Sequence, residues 1–312
     1  MPAITSGPAS HVYFSQRLRL HYVDWGNEGA PPMLLVHGGR DHCRNWDWVA
    51  EAFRDEYHII APDLRGHGDS QWSMGGSYTM PEYVYDIAHL VQQKNMAPVT
   101  ILSHSLGGMI SLQYAGLYPD SVKSITAIEG LGSSPANLAK NAGKTIDTRL
   151  NEWAEELKKL SGRTPRRYAS LEDAFRRMQE ENPHLTEEQA RHLTVHGATQ
   201  NEDGTYSWKF DNYVRIFRPY GLTTDDVRHL WSRITCPTLL VRGTESWATD
   251  PAQATGPIMI GWMYSWITCG NIWQNKARRR SACFHGFYLA PASTAKFRQL
   301  HEVMQGATGN LR

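Results

Sequence analysis

The chain has 312 residues, enough to bury a sizeable core as one large α/β domain or as two smaller ones. Its formal net charge is +1, so no overall electric field favours nucleic acid or an anionic membrane. The four cysteines lie far apart without CxxC or CxH spacing, which argues against a zinc site and against a disulfide framework. The N-terminus lacks a positively charged head followed by an apolar core, and we therefore expect a cytoplasmic protein.

The first 130 residues alternate between short β-rich runs and helical patterns, which is typical of βα units that build a largely parallel sheet. Two runs at 11–16 and 18–26 predict an opening hairpin. Continuous apolar runs at 31–39 and 56–70 predict strands buried on both faces. The predicted elements that follow are a helix over 79–93 with a Thr79-x-x-Glu82 capping box, a strand over 98–105, a helix over 106–120 and a strand over 122–130.

From 131 to 234 the pattern is helical, apart from an aromatic stretch at 205–217. Two of the amphipathic segments begin with capping signatures, at Ser170-x-x-Asp173 and Thr186-x-x-Gln189. A predicted strand at 236–243 then resembles the strands predicted in the first 130 residues. A helical block between two sheet strands predicts a cap over the edge where the strands end.

The last sixty residues differ from the rest of the chain, because residues 253–312 hold seven Lys/Arg against one acid. An uncharged apolar run at 256–273 is followed by basic residues, which meets the crude criteria for a membrane span. Its glycines, proline and polar residues, and the strand before it, favour instead an unusual tail packed on the domain. A frame-shift past Ala252 is a further hypothesis for this composition.

The segment "SHSLGG" at 103–108 predicts an abrupt change from strand to helix at Ser105. A chain that turns so sharply holds the central residue in a strained conformation and needs small neighbours two positions away. Ser103 and Gly107 meet that size requirement, and Gly108 adds room. The Ser105 hydroxyl would then lie at a helix N-terminus, where free N–H groups favour developing negative charge.

Four motifs together resemble the α/β-hydrolase family over roughly residues 11–252: "LLVHGG" at 34–39, "DLRGHGDS" at 63–70, "SHSLGG", and "PTLLVRG" at 237–243. The resemblance implies an α/β fold with a mostly parallel central sheet flanked by helices. Its expected division is a first core part at 1–130, a helical cap at 131–234, and a second core part with an atypical tail at 235–312. The cap segment is similar to that of a serine-hydrolase-like subfamily.

The resemblance makes Ser105 the catalytic nucleophile and the backbone N–H groups of Gly39 and Leu106 the oxyanion hole. The family's base normally follows the last strand in a G-x-G-H motif, which this sequence lacks. His285 precedes an amphipathic stretch and is the favoured base, with His301 as a weaker alternative and the absence of a functional base left open. The triad acid is also open among Glu245, Glu129 and Asp250.

The implied activity is hydrolysis of a carboxylic ester or a related acyl bond through an acyl-enzyme, with a small-molecule acyl substrate and without metal or other cofactor. Arg40 near the oxyanion loop and Trp208 in the cap are candidate substrate contacts. His104 is a third candidate substrate contact. It is next to the nucleophile in the sequence, and its side chain is expected to point away from Ser105. Two alternatives remain: a catalytically impaired binding protein on the same fold, and a perhydrolase or carbon–carbon hydrolase on the same apparatus.

Overall fold

The strands of the central sheet follow from the apolar runs of the first 130 residues and from two later segments. The computed structural model describes residues 7–132, 143–216, 219, 221–243 and 263–269. The sheet strands in that part of the chain are β1 (Ala9–Ser15), β2 (Leu18–Asp24), β3 (Pro32–Val36), β4 (His58–Pro62), β5 (Val99–His104), β6 (Val122–Ile128), β9 (Thr238–Gly243) and β10 (Met263–Cys269). A separate two-stranded sheet contains β7 (Ala198–Gln200) and β8 (Tyr206–Trp208).

The sheet strands pair in the order β1-β2-β4-β3-β5-β6-β9-β10. β1 and β2 form the predicted antiparallel hairpin, β2 is antiparallel to β4, and all pairs from β4 to β10 are parallel. The mostly parallel sheet flanked by helices confirms the predicted fold class. Parallel strands end at one edge of a sheet, so the segments after β3, β5 and β6 meet there.

The described helices are α1 (Asp47–Phe53), α2 (Met80–Gln93), α3 (Leu106–Leu117), α4 (Ile146–Ser161), α5 (Leu171–Glu181), α6 (Glu187–Gly197) and α7 (Thr224–Ser232). The capping residues act as their sequence pattern predicts. At the start of α2 the Thr79 N–H donates to the Glu82 carboxylate at 2.8 Å. The N–H groups of Asp173 and Gln189 donate to the hydroxyls of Ser170 and Thr186 at 3.1 and 3.2 Å. These bonds satisfy backbone donors that have no partner within the helix.

Alternate residues of each central strand enter two hydrophobic clusters, one on each face of the sheet. Leu34 and Ile60 belong to the cluster beneath α2 and α3, whereas Leu35 and Ile59 belong to the cluster beneath α1. All four are fully buried. Burial of such a side chain contributes about 1.5–3 kcal/mol relative to exposure, and burial on both faces explains the continuous apolar runs in the sequence.

The apolar run near the C-terminus supplies a sheet strand. β10 lies parallel to β9, with Met263 opposite Thr238 and Cys269 opposite Gly243. This segment is therefore part of the domain rather than of a membrane-spanning helix. In the described part of the chain no helix combines the length and the apolar character that crossing a membrane requires.

The segment between β6 and β9, which includes the predicted cap range of 131–234, contains α4 to α7 and the β7–β8 hairpin. Its last helix, however, packs on the core. A Cβ at Gly116 of α3 would overlap the backbone of Leu230 in α7, and Arg233 just after α7 donates to the Gly116 carbonyl at 2.9 Å. Trp231 joins the same hydrophobic cluster as α3. The part of the segment beyond the core therefore ends before α7.

Candidate active site

Ser105 lies at the turn between β5 and α3, in a backbone conformation that serine rarely adopts. Its φ is +50° and its ψ is −114°. The Ser105 N–H donates to the carbonyl of Ile128 at the end of β6 at 2.7 Å, and its carbonyl accepts from Met109 in the first turn of α3 at 3.1 Å. A side chain held at such φ and ψ values is typical of a functional site, because packing must stabilise the strained backbone. Ser105 itself is half-buried.

Small residues permit this turn by allowing three backbone segments to meet. A Cβ at Gly107 would overlap the carbonyl oxygen of Val36 and lie 2.6 Å from that of His37. A Cβ at Gly108 would lie 2.6 Å from the Cα of Gly130, which follows β6. Contacts below 3.0 Å cannot be accommodated without backbone movement, so positions 107 and 108 require glycine.

The loop after β3 lies directly against the turn at Ser105. An ideal Cβ on Gly38 would be 3.4 Å from the Ser105 Cβ, and one on Gly39 would be 3.9 Å from a methyl carbon of Leu106. The fold thus brings Gly39 and Leu106, the two predicted oxyanion donors, next to each other beside the predicted nucleophile.

His37 holds this loop in position. The Leu64 N–H donates to the His37 Nε2 at 2.9 Å, so the neutral ring carries its proton on Nδ1, which donates to the Gly38 carbonyl at 2.7 Å. Burial and the neighbouring His67 lower the pKa of His37 to about 3. The ring therefore remains uncharged near neutral pH and serves as a fixed bridge between the loops after β3 and β4.

The His104 ring packs against Gly38, where a Cβ would lie 2.8 Å from its Nδ1. Burial lowers the pKa of His104, and the charge of Glu129 opposes that shift. Glu129 directly follows β6, has a φ of +57° and donates its N–H to the carbonyl of Val241 at 2.8 Å. The acid candidate Glu129 therefore lies at the same sheet edge as Ser105, close enough to His104 to act on it electrostatically.

The other triad candidates, His285, His301, Glu245 and Asp250, lie outside the described residues. Among the described histidines, His67 is fully buried, donates from Nδ1 to the Arg65 carbonyl at 2.9 Å, and has its pKa lowered to about 4 by burial. His42 donates from Nε2 to the Leu193 carbonyl at 3.2 Å. Both rings therefore have a partner in the described structure.

The predicted cap segment contacts the loop after β4 through backbone pairing. His67 and Phe210 form an isolated antiparallel bridge, the Asp211 N–H donates to the Gly66 carbonyl at 2.9 Å, and Tyr78 donates to the Asp211 carboxylate at 2.5 Å. Trp208, also in the cap, donates to the Tyr168 hydroxyl at 3.0 Å. These bonds join the segment that follows β8 to the loop after β4 and to Tyr78.

Arg40 directly follows the predicted oxyanion residue Gly39 and is exposed, with a φ of +65°. Within the described residues it forms neither an ion pair nor a hydrogen bond through its guanidinium. Arg215 lies on the cap side with its guanidinium 5.8 Å from the Phe210 ring centre, and burial and then Arg40 lower its pKa. Within the described part of the chain neither guanidinium forms a salt bridge, although the charge of Glu181 acts on Arg215.

Two groups of described side chains come close enough to hold a metal, namely His21, Cys43 and Asp63, and Asp47, His192 and His196. In the second group the Arg44 guanidinium already binds Asp47, with Nη2 at 2.6 Å and Nε at 2.7 Å. His192 donates to the same carboxylate at 3.1 Å. This group therefore works as an ion-pair network between α1 and α6, since the arginine supplies the neutralising charge.

Comparison with known proteins identifies the family of this chain. A family model described as "alpha/beta hydrolase fold" matches residues 31–258. The chain belongs to the α/β-hydrolase family. It is 23% identical over 221 residues to a Danio rerio "Serine hydrolase-like protein", a match that covers 70% of this chain and 66% of the relative.

The matches to one further relative and to one solved structure cover a larger share of those proteins. "Esterase Rv0045c" of Mycobacterium tuberculosis is 25% identical over 250 residues, which is 80% of this α/β hydrolase and 78% of the esterase. The crystal structure of a hypothetical protein from Pseudomonas aeruginosa PAO1 superposes with a TM-score of 0.71 at 21% identity, covering 85% of this chain and 91% of that one. That structural likeness supports the fold alone.

Proposed function

We propose that this α/β hydrolase is a serine hydrolase that cleaves a carboxylic ester, or a related acyl bond, through an acyl-enzyme intermediate. The observation that carries the proposal is the strained Ser105, with φ +50°, facing a glycine loop at the N-terminal end of α3. Strain of this kind presents one hydroxyl above the sheet edge, next to amide donors that can receive an oxyanion's charge.

The proposed reaction begins when Ser105 Oγ attacks the ester carbonyl carbon and gives its proton to an imidazole, for which His285 is the candidate. The N–H groups of Gly39 and Leu106 stabilise the oxyanion. Loss of one such donor typically costs about 10²–10³ in rate. The C–O bond then breaks, the leaving alcohol takes the proton from the imidazole, and water hydrolyses the acyl-serine by the same route in reverse.

The names of the relatives support the same chemistry, since one is a serine hydrolase-like protein and another an esterase. The type of nucleophile also distinguishes ester hydrolysis from epoxide hydrolysis. Opening of an epoxide through an alkyl-ester intermediate requires a carboxylate nucleophile, and position 105 is serine. We therefore place acyl transfer ahead of epoxide hydrolysis.

A fluorophosphonate probe tests the proposal directly, because it reacts with activated serine hydroxyls. After trypsin digestion the adduct should lie on peptide 95–123, which contains Ser105, and should vanish from that peptide in Ser105→Ala. Turnover of p-nitrophenyl esters of graded chain length should fall at least about 10³-fold in the same variant. Folded protein without an adduct on this peptide would favour a binding protein on the hydrolase fold instead.

A further inference from the structure

The hydroxyl of a second serine in this protein is hydrogen-bonded to an imidazole, which is itself hydrogen-bonded to a carboxylate. Ser10 lies on the exposed side of β1, and its Oγ is 2.7 Å from the Nε2 of His21 on β2. The Nδ1 of His21 is in turn 2.7 Å from the Oδ2 of Asp63, which directly follows β4. The three side chains come from three neighbouring strands or their ends, and neither distance differs from that of a short, well-formed hydrogen bond.

The carboxylate determines which ring nitrogen of His21 faces the serine as an acceptor. Asp63 is buried and also accepts from the N–H groups of Cys43 at 2.7 Å and Asp69 at 2.9 Å. Hydrogen bonds from His21 and the backbone, with the nearby histidines, hold the pKa of Asp63 well below its usual range despite burial. An ionised carboxylate has no proton to share, so the neutral His21 ring carries its proton on Nδ1 and leaves the Nε2 lone pair for the Ser10 hydroxyl.

The His21 backbone and the carboxylate that binds its ring are both held by further contacts. The His21 N–H donates to the Ser70 hydroxyl at 2.8 Å, and that hydroxyl donates to the Asp63 carbonyl at 2.7 Å. Gly68 lies so close to Asp63 that a Cβ there would overlap the carboxylate. A base held by such contacts loses little entropy when it accepts a proton, which is the condition for effective general-base catalysis.

The surface next to Ser10 suits an acyl chain. Alternate residues of a strand share a face, so Val12 and Phe14 follow Ser10 on the same side of β1. Val12 is 46% exposed and Phe14 is 60% exposed, which leaves an apolar strip beside the hydroxyl. β1 is also at the edge of the described sheet, four strand spacings from β5, or about 19 Å from the strand that leads to Ser105.

We infer that Ser10, His21 and Asp63 form a second nucleophilic centre, separate from Ser105, that takes an acyl group from small activated carboxylic esters. In this step Ser10 Oγ bonds to the carbonyl carbon while its proton moves to His21 Nε2. The ester C–O bond then breaks, and the leaving oxygen receives that proton. With a fluorophosphonate, the serine oxygen bonds to phosphorus, fluoride leaves, and the proton stays on His21.

The decisive experiment uses the full chain with Ser105→Ala, so its result does not depend on the proposed function. The protein is treated with a fluorophosphonate, digested with trypsin and mapped by mass spectrometry. We expect an adduct at Ser10 in peptide 1–17, with fragment ions that separate Ser10 from the other serines of that peptide. Peptide 192–209 is an internal control, because its half-buried Ser207 bonds to Asn201 and a backbone carbonyl rather than to an imidazole.

Adduct on peptide 1–17 should exceed that on peptide 192–209 at least tenfold, and Ser10→Ala in the same background should remove it. Ser10 is exposed, so this substitution leaves the fold intact and its result is interpretable by itself. His21→Gln should lower the adduct at least tenfold in protein that retains the parent melting curve. A folded Ser105→Ala protein without adduct at Ser10, or an adduct that persists after Ser10→Ala, would overturn the inference.

Discussion

Gly107 lies so close to Val36 that any side chain at position 107 would overlap the Val36 carbonyl oxygen. This contact joins the first turn of α3 to the end of β3, and thereby sets the distance between Ser105 and the Gly38–Gly39 loop. We expect Gly107→Ala to lower the free energy of unfolding by about 1–3 kcal/mol. We also expect it to slow ester turnover about 100-fold, because small displacements of catalytic groups are costly. Urea denaturation and steady-state kinetics measure both effects.

Gly75 provides the matched control, since a Cβ there would meet no atom within 4 Å. Gly75→Ala should leave both quantities near those of the parent protein. Equal behaviour of the two alanine variants would show that the close approach at Gly107 is unimportant.

The base and the acid of the proposed triad can be assigned by paired substitutions. His285→Ala should abolish fluorophosphonate labelling of peptide 95–123, whereas His301→Ala should preserve it, because one imidazole must reach Ser105. Glu245→Gln and Glu129→Gln separate the acid candidates in the same way, with a larger rate loss expected for the residue that orients the base. Labelling that survives in both histidine variants would exclude both as the base.

Arg40 and Arg215 predict a preference for acyl substrates that carry a carboxylate. A hydrogen bond to a charged group is worth about 1.5–3 kcal/mol, so Arg40→Gln should reduce kcat/KM for an ester with a free carboxylate by about tenfold or more. A neutral ester of equal length should be affected much less. Arg228→Gln is the control, because Arg228 is an exposed arginine on α7. An equal loss for the charged and the neutral ester would refute this role.

The buried histidines predict a loss of stability in mild acid. The pKa values of His37 and His67 are lowered to about 3 and about 4, whereas in an unfolded chain histidine titrates near 6.5. Between these values the unfolded state binds more protons than the folded state, so the free energy of unfolding falls as the pH falls. Each group contributes a slope of at most about 1.4 kcal/mol per pH unit.

Denaturation in urea between pH 7.5 and pH 4.5 measures this slope. His67→Gln should make it shallower. Asp63 adds a loss of the same sign at still lower pH, because its pKa is depressed in the folded state and its contribution disappears as it is protonated. A slope that His67→Gln leaves unchanged would contradict this account.

Local sequence patterns were sufficient for much of the core. The alternation of apolar runs and helical segments predicts β1 to β6 in order, since burial on both faces and helix capping depend on residues close together in the chain. The turn at Ser105 was predictable for the same reason, because the size requirement falls on Ser103, Gly107 and Gly108, all within five positions of each other. The histidine and the carboxylate that would serve Ser105 were not. The position of His285 before an amphipathic stretch only favours it over His301, and Glu129, Glu245 and Asp250 all remain open as the acid.

Other features depend on contacts between residues that are distant in the chain. The run at 256–273 fits a membrane span or a tail by its composition, and only pairing with β9 makes Met263–Cys269 a strand. Likewise, α7 looks like another cap helix until its contact with Gly116 places it on the core. Ser10, His21 and Asp63 carry no motif that links them, and strand pairing brings them together. Composition and periodicity act over a few residues, whereas backbone pairing and close packing select among segments that local patterns leave equivalent.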